Sequence, residues 1–218
     1  HDEPAPELAP YLLPAHPYPV PLAMQAGRAL RSGARLLHLR EHAPDTGASV
    51  AAAALAEVGL GAVVLDLTRV PEHPEPLALL RSACREALFG DAGLVAGPVE
   101  VLARTTPESL RALTTADVPV ILTGHDSWDP RWAAATPLSM SVPPLDPSAR
   151  ADVWSRYLGA DLGALDGVAE HLALAPAQVA RAVDAARTAA AADGTPLGPD
   201  HLRLGVQAQN AAGLERLA

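Results

Sequence analysis

Arg35-Leu36-Leu37-His38-Leu39-Arg40-Glu41-His42-Ala43-Pro44-Asp45-Thr46-Gly47-Ala48-Ser49, followed by an alanine-rich stretch and then Ala62-Val63-Val64-Leu65-Asp66-Leu67, organises the reading of this 218-residue chain. Residues 35–40 are an apolar run of strand length, Ser49 to Val58 reads as a helix stopped at Gly59 and Gly61, and residues 62–67 form the clearest strand signal. A helix of that length between two strands makes a βαβ crossover, which requires a parallel sheet. Between the first strand and the helix lies His42–Ser49, spaced like a phosphate-binding loop. In such a loop a lysine neutralises the β- and γ-phosphates and a neighbouring Ser or Thr holds Mg²⁺. Here Gly47 and Ser49 stand in place, but Ala48 occupies the lysine position. The chain has no lysine at all, its 16 basic residues all being arginine.

Composition narrows the class. Hydrophobic residues make up 49% and aromatics only 3%, so a core is affordable but must be built from Ala, Leu and Val. The net charge of −9 argues against non-specific nucleic-acid binding, which depends on displacing phosphate counterions with basic side chains. A single cysteine, Cys84, excludes an intrachain disulfide and a cysteine-based zinc site. No apolar run reaches the roughly 20 residues of a membrane helix, and no signal-peptide pattern opens the chain, so a cytoplasmic protein without a membrane partner is expected. The missing initial methionine and the helical pattern at the C-terminus suggest a piece of something longer.

The alternation of strands and helices continues outward from the loop. Residues 1–33 comprise a proline-rich opening segment, expected to be extended, and a lead helix from Leu22 to Arg31. Residues 34–145 are expected to form a three-layer α/β domain with a five-stranded parallel sheet. Its later strands are read at Gly93–Ala96, Val118–Thr123 and Leu138–Val142, with helices at Leu77–Phe89 and Pro107–Ala116. Residues 146–218 lose strand patterning and read as four helices, at 146–158, 162–171, 176–192 and 199–217. Pro147, Pro176 and Pro199 each fall in a first turn, where the missing N–H costs nothing.

This order of loop, five short strands and helical C-terminal part resembles the AAA+ ATPase module of the P-loop NTPases. Against the family form Gly-Pro-Pro-Gly-Thr-Gly-Lys-Thr, Pro44, Thr46 and Gly47 match and Ser49 is the allowed alternative. His42 and Asp45 replace two glycines, and Ala48 replaces the lysine. Pro144-Leu145-Asp146-Pro147-Ser148-Ala149-Arg150 through Trp154 is similar to the opening of the family's helical lid. More narrowly, the chain resembles the degenerate first domain of bacterial tandem AAA+ proteins, some associated with contractile injection systems.

The resemblance implies a catalytically inactive, pseudo-ATPase domain of a larger AAA ATPase, with a scaffolding, regulatory or assembly role. Its implied partners are a downstream AAA+ domain of the same protein and other protomers. It implies Thr123 as the polar residue that senses the γ-phosphate and Arg131 as an arginine finger. The family's paired acids after the third strand are missing if that strand ends at Ala96. The loop residues His42, Asp45, Thr46, Gly47, Ala48 and Ser49 are then vestigial, and no cofactor is expected. ATP and Mg²⁺ enter only in the alternative, an atypical ATP-binding or hydrolysing domain with Ser49, Thr123 and Glu100 as its remnants.

Elementary electrostatics point the same way. A helix starting near Ser49 attracts anions through its free N–H groups, yet Asp45 places a carboxylate where phosphates would lie. Asp45 or Thr46 is expected to cap the helix instead. The histidine pair His38 and His42 has zinc spacing only on a helix, and His38 falls in a strand, so no metal is expected. The run Gly124-His125-Asp126-Ser127-Trp128-Asp129 follows a strand at its C-terminal end, where chemistry concentrates in such sheets. Adjacent residues rarely converge on one substrate, so this run reads first as a turn.

Overall fold

The computed structural model describes residues 5–43, 45–161 and 174–215. The chain divides between Pro143 and Pro144 into two compact units.

In the first unit, helix α1 (Pro21–Arg31) precedes strand β2 (Leu36–Glu41), helix α2 (Thr46–Ala56) and strand β3 (Gly61–Asp66). Helix α3 (Pro76–Phe89), strand β4 (Ala92–Gly97), helices α4 (Val99–Thr105) and α5 (Pro107–Thr114), and strands β5 (Val120–Gly124) and β6 (Leu138–Val142) follow. A two-residue strand, β1 (Leu12–Leu13), comes before them all. The sheet order is β1-β3-β4-β5-β2-β6. Strands β2 to β6 are mutually parallel, and β1 pairs antiparallel to β3 with Leu12 opposite Leu65.

The expected five-stranded sheet is therefore corrected to six strands. The proline-rich opening segment, expected to be extended, adds the sixth strand: Leu12 and Leu13 are not prolines and pair with the edge of β3. Leu8 anchors the segment by complete burial in the adjoining core.

Period-two alternation sorts the strands' side chains into two cores. Leu37, Leu39, Val64, Val95, Ile121 and Val142 join α1 and α2 on one face. Leu65, Leu94, Ala96, Val120 and Leu122 join α3, α4 and α5 on the other. This gives three layers. Helix α2 lies between the sheet and α1 and is buried from Val50 through Leu55, which its nearly uncharged, alanine-rich sequence allows. Each fully buried Leu or Val stabilises the fold by about 1.5–3 kcal/mol, so the leucines on both faces outweigh the many alanines.

Several boundaries move for physical reasons. Helix α2 begins at Thr46 rather than Ser49, shortening the loop to residues 42–45. Strand β5 begins at Val120, because Pro119 offers no N–H to a ladder. Helix α4 was not expected; its seven residues after Gly97-Pro98 carry too short a period to read.

The second unit contains α6 (Pro147–Leu158), α7 (Pro176–Asp193) and α8 (Pro199–Glu215). Prolines open all three. Asp146 caps α6 through a 2.8 Å bond from Ala149 N–H, and α7 stops at Gly194 with φ 64°. Val153, Trp154, Val179, Ala182, Val183, Ala186, Leu202 and Val206 are buried. The helix expected at 162–171 lies outside the described residues. Among the described residues no helix is long and apolar enough to cross a membrane.

Candidate functional site at the end of strand β2

The C-terminal end of β2 is the topological switch point of the sheet. From there α2 carries the chain past β5 and β4 to β3, and the chain returns through β4 and β5 before placing β6 on the opposite flank of β2. Ligands of open parallel sheets gather at such a point.

At this end one N–H of the first turn of α2, that of Gly47, is satisfied from the preceding strand, and the partner is Glu41. The last residue of β2 continues the inward alternation of Leu37 and Leu39, so its side chain turns to the α2 face. There Gly47 N–H donates to Glu41 Oε2 at 2.7 Å. The approach depends on Gly47 having no side chain. A Cβ there would stand 3.0 Å from Glu41 Oε2 and 3.1 Å from Thr123 Cγ2. Glu41 is only 7% exposed. Burial pushes its carboxyl up to about 7; the Gly47 N–H and His125 oppose this, and the nearby carboxylates Asp45 and Glu100 reinforce it.

The expected capping by Asp45 or Thr46 is corrected accordingly. Asp45 adopts the left-handed conformation, φ 65°, and its side chain makes no capping bond. Thr46 donates its hydroxyl to Ala43 O at 2.6 Å, closing the turn rather than capping the helix. Both short-range options fail because Glu41 reaches the first free N–H from the strand. Of the other loop residues, His42 Nδ1 lies 3.0 Å from Val142 O, Ala48 packs on the α1–α2 core, and Ser49 is buried. Pro44 lies outside the described residues.

Thr123 is buried on the same face as Glu41 and Gly47. It also fills the space beside Gly97, where a Cβ would meet Thr123 Oγ1. The structure brings Thr123 beside the start of α2. Arg131 is elsewhere: its guanidinium is 89% exposed and pairs with Asp129 at 2.5 Å.

A second group of polar side chains sits on the opposite face of the sheet. Glu100, in the first turn of α4, is buried and accepts a 2.6 Å bond from Asp126 N–H, while its Oε2 has no partner among the described residues. It lies directly over Gly124, leaving no room for a Cβ there. His38 is fully buried, and neither ring nitrogen has a partner among the described residues. Burial holds its imidazole below the usual value, with Glu100 opposing and Arg40 adding to the shift. Trp128 tilts against it at 5.7 Å, and Trp132 packs edge-on to Trp128 at 5.3 Å. The 124–129 run is thus a turn tied down by Glu100, with His125 O also accepting from Arg40 Nε at 3.0 Å.

Sequence reasoning missed Glu41 altogether. The available signal was its position as the sixth residue of an alternating strand, which places it inward. Glu100 was weighed only as a displaced acid.

A carboxylate stands at the helix N-terminus, Asp45 flanks it and Ala48 supplies no cation. Among the described residues no three His, Cys, Asp or Glu side chains group to hold a metal. A groove of about 370 Å³ opens at the starts of α3 and α5, lined by Glu75, Arg81, Thr106 and Glu108 among others, and shares no residue with this site. No family model matches the chain, and no curated protein matches it.

Proposed function

We propose that this chain is a catalytically inactive AAA+-like domain of a larger AAA ATPase, with a scaffolding or assembly role toward a following ATPase domain. The observation that carries the reading is the 2.7 Å bond from Gly47 N–H to Glu41. The first turn of the helix after a phosphate-type loop already holds an internal carboxyl group, so a phosphate would have to displace it and would meet Asp45 beside it. At about 4 Å, two like unit charges repel by roughly 1 kcal/mol in water and about 4 kcal/mol near a protein surface. No lysine compensates.

Two further features support the family resemblance. Asp45 keeps a left-handed backbone at the position where the family form has glycine, a conformation that Asp tolerates better than most residues. The loop strand β2 lies inside the sheet between β5 and β6, where a ligand at its end would be flanked on both sides. The competing reading, an atypical ATP-binding domain using Ser49, Thr123 and Glu100, draws less support. Ser49 and Thr123 are packed, and Glu100 lies on the other face and is engaged with Asp126 N–H.

Calorimetric titration of Mg²⁺–ATP into the purified chain tests the proposal. No saturable heat and no phosphate release above buffer are expected. Micromolar binding, or magnesium-dependent hydrolysis abolished by Ser49→Ala, would overturn it.

A further inference from the structure

On the face of the sheet opposite Glu41, three side chains beside the turn after β5 meet with polar atoms to spare. In the β2–β5 ladder His38 pairs with Leu122 and Arg40 with Gly124, so His38 and Gly124 look onto the same face. Glu100 covers Gly124 on that face, and its Oε1 holds Asp126 N–H at 2.6 Å. Two residues further on, the Trp128 ring leans on the His38 ring at 5.7 Å. The charge of Glu100 also reaches His38, opposing the effect of burial on its imidazole. His38 is fully buried and Glu100 is 5% exposed. Four polar atoms of this group have no partner among the described residues: Nδ1 and Nε2 of His38, Oε2 of Glu100 and Nε1 of Trp128.

The four atoms make a balanced set. A neutral imidazole offers one donor and one acceptor, the indole one donor, and the carboxylate oxygen an acceptor. Water presents the matching two donors and two acceptors, and a buried water typically makes about three hydrogen bonds to such groups. An anion would be repelled by Glu100, and a metal ion would find one imidazole and one carboxylate, fewer protein ligands than such ions take. Leaving these atoms unpaired costs more than immobilising water among them. We propose that His38, Glu100 and Trp128 enclose a buried hydration site, in which water bridges Glu100 Oε2 to the imidazole and accepts from the indole N–H. The two ring nitrogens leave from different edges of the imidazole, so one water cannot serve both and the site takes two. Together with the Asp126 N–H bond to Glu100, the bridge ties β2 and α4 to both ends of the 126–128 stretch. The turn at the C-terminal end of the sheet is thereby fixed from this face.

Rotating-frame NOE spectroscopy of the isotope-labelled chain at neutral pH tests this without any nucleotide, since the sign of the cross-peak separates bound water from proton exchange. In the wild-type protein the Trp128 indole N–H should show an NOE to water of the sign expected for water that stays bound longer than the protein takes to tumble. E100Q keeps an acceptor oxygen and should retain the cross-peak. His38→Leu removes both ring nitrogens at similar volume and should lose it, in a variant shown to be folded by circular dichroism. Absence of the NOE in the wild-type protein, a coupling across a direct His38–Glu100 hydrogen bond, or an undiminished NOE in His38→Leu would each overturn the proposal. The first two of these need no variant to fold. Nucleotide binding bears on the inactive-domain reading and leaves these readouts untouched, so the two fail separately.

Discussion

Helices α2 and α6 solve one problem in opposite ways. Both begin with N–H groups that no earlier turn can accept. Helix α6 uses its own N-cap, Asp146, in an exposed and local bond to Ala149 N–H. Helix α2 draws on Glu41, six residues before Gly47 and on the preceding strand, in a buried bond. The local cap leaves the helix independent of its surroundings. The strand-borne cap joins β2, α2 and Thr123 into one closed unit, and it fills the position that would otherwise draw an anion. The function proposed for this chain rests on that difference.

The largest separation between the two caps should appear with pH. The folded-state value of Glu41 is raised, so the stability it contributes is greatest below about 4.5 and is lost as pH rises through about 7. The loss amounts to at most about 3 kcal/mol, at 1.36 kcal/mol per unit. E41Q keeps an acceptor for Gly47 N–H and removes the charge. It should therefore gain up to about 3 kcal/mol on wild type in going from pH 4.5 to pH 8, read from urea unfolding at both values. Parallel pH profiles for the two proteins would erase the distinction drawn here.

Gly47→Ala sharpens the comparison by a smaller amount. An alanine is ordinarily the better helix residue by about 1 kcal/mol. Here its methyl would press on Glu41 Oε2 and on Thr123 Cγ2 and Cβ at 3.0–3.2 Å. A net destabilisation of about 1–2 kcal/mol is expected from thermal unfolding. A rise in Tm would mean that the carboxylate yields freely.

Asp146→Ala should cost the least, about 1 kcal/mol or below, and the cost should be the same at pH 6 and pH 8. A pH-dependent cost in that range would show that α6 is not capped in the simple local way described.

The same contrast explains what could be read from sequence. Asp146-Pro147 announces its helix because the cap and the first-turn proline are adjacent in the chain. Strand β6 was legible over its whole length for a similar reason, with turn residues on both sides of 138–142. Glu41 was not, because its partner is fixed by how β2 and α2 pack. Charged residues after an apolar run look like the start of a loop, and only the inward alternation from Leu37 through Leu39 hints otherwise. Strand β1 is two leucines among prolines, below the length at which alternation carries information. Glu100 could be seen as an acid near the end of β4, but its burial over Gly124 depends on α4, which sequence reading did not detect.

The place of the phosphate is the central claim, and one titration addresses it directly. A fluorescent ATP analogue is titrated into two variants shown to be folded by circular dichroism. Both carry His42→Gly, Asp45→Gly and Ala48→Lys, and one also carries Glu41→Ala. Restoring the glycines and the lysine should give weak affinity, and removing Glu41 should tighten it at least about tenfold, the equivalent of 1.4 kcal/mol. Equal affinities in the two variants would show that Glu41 does not hold the phosphate's place.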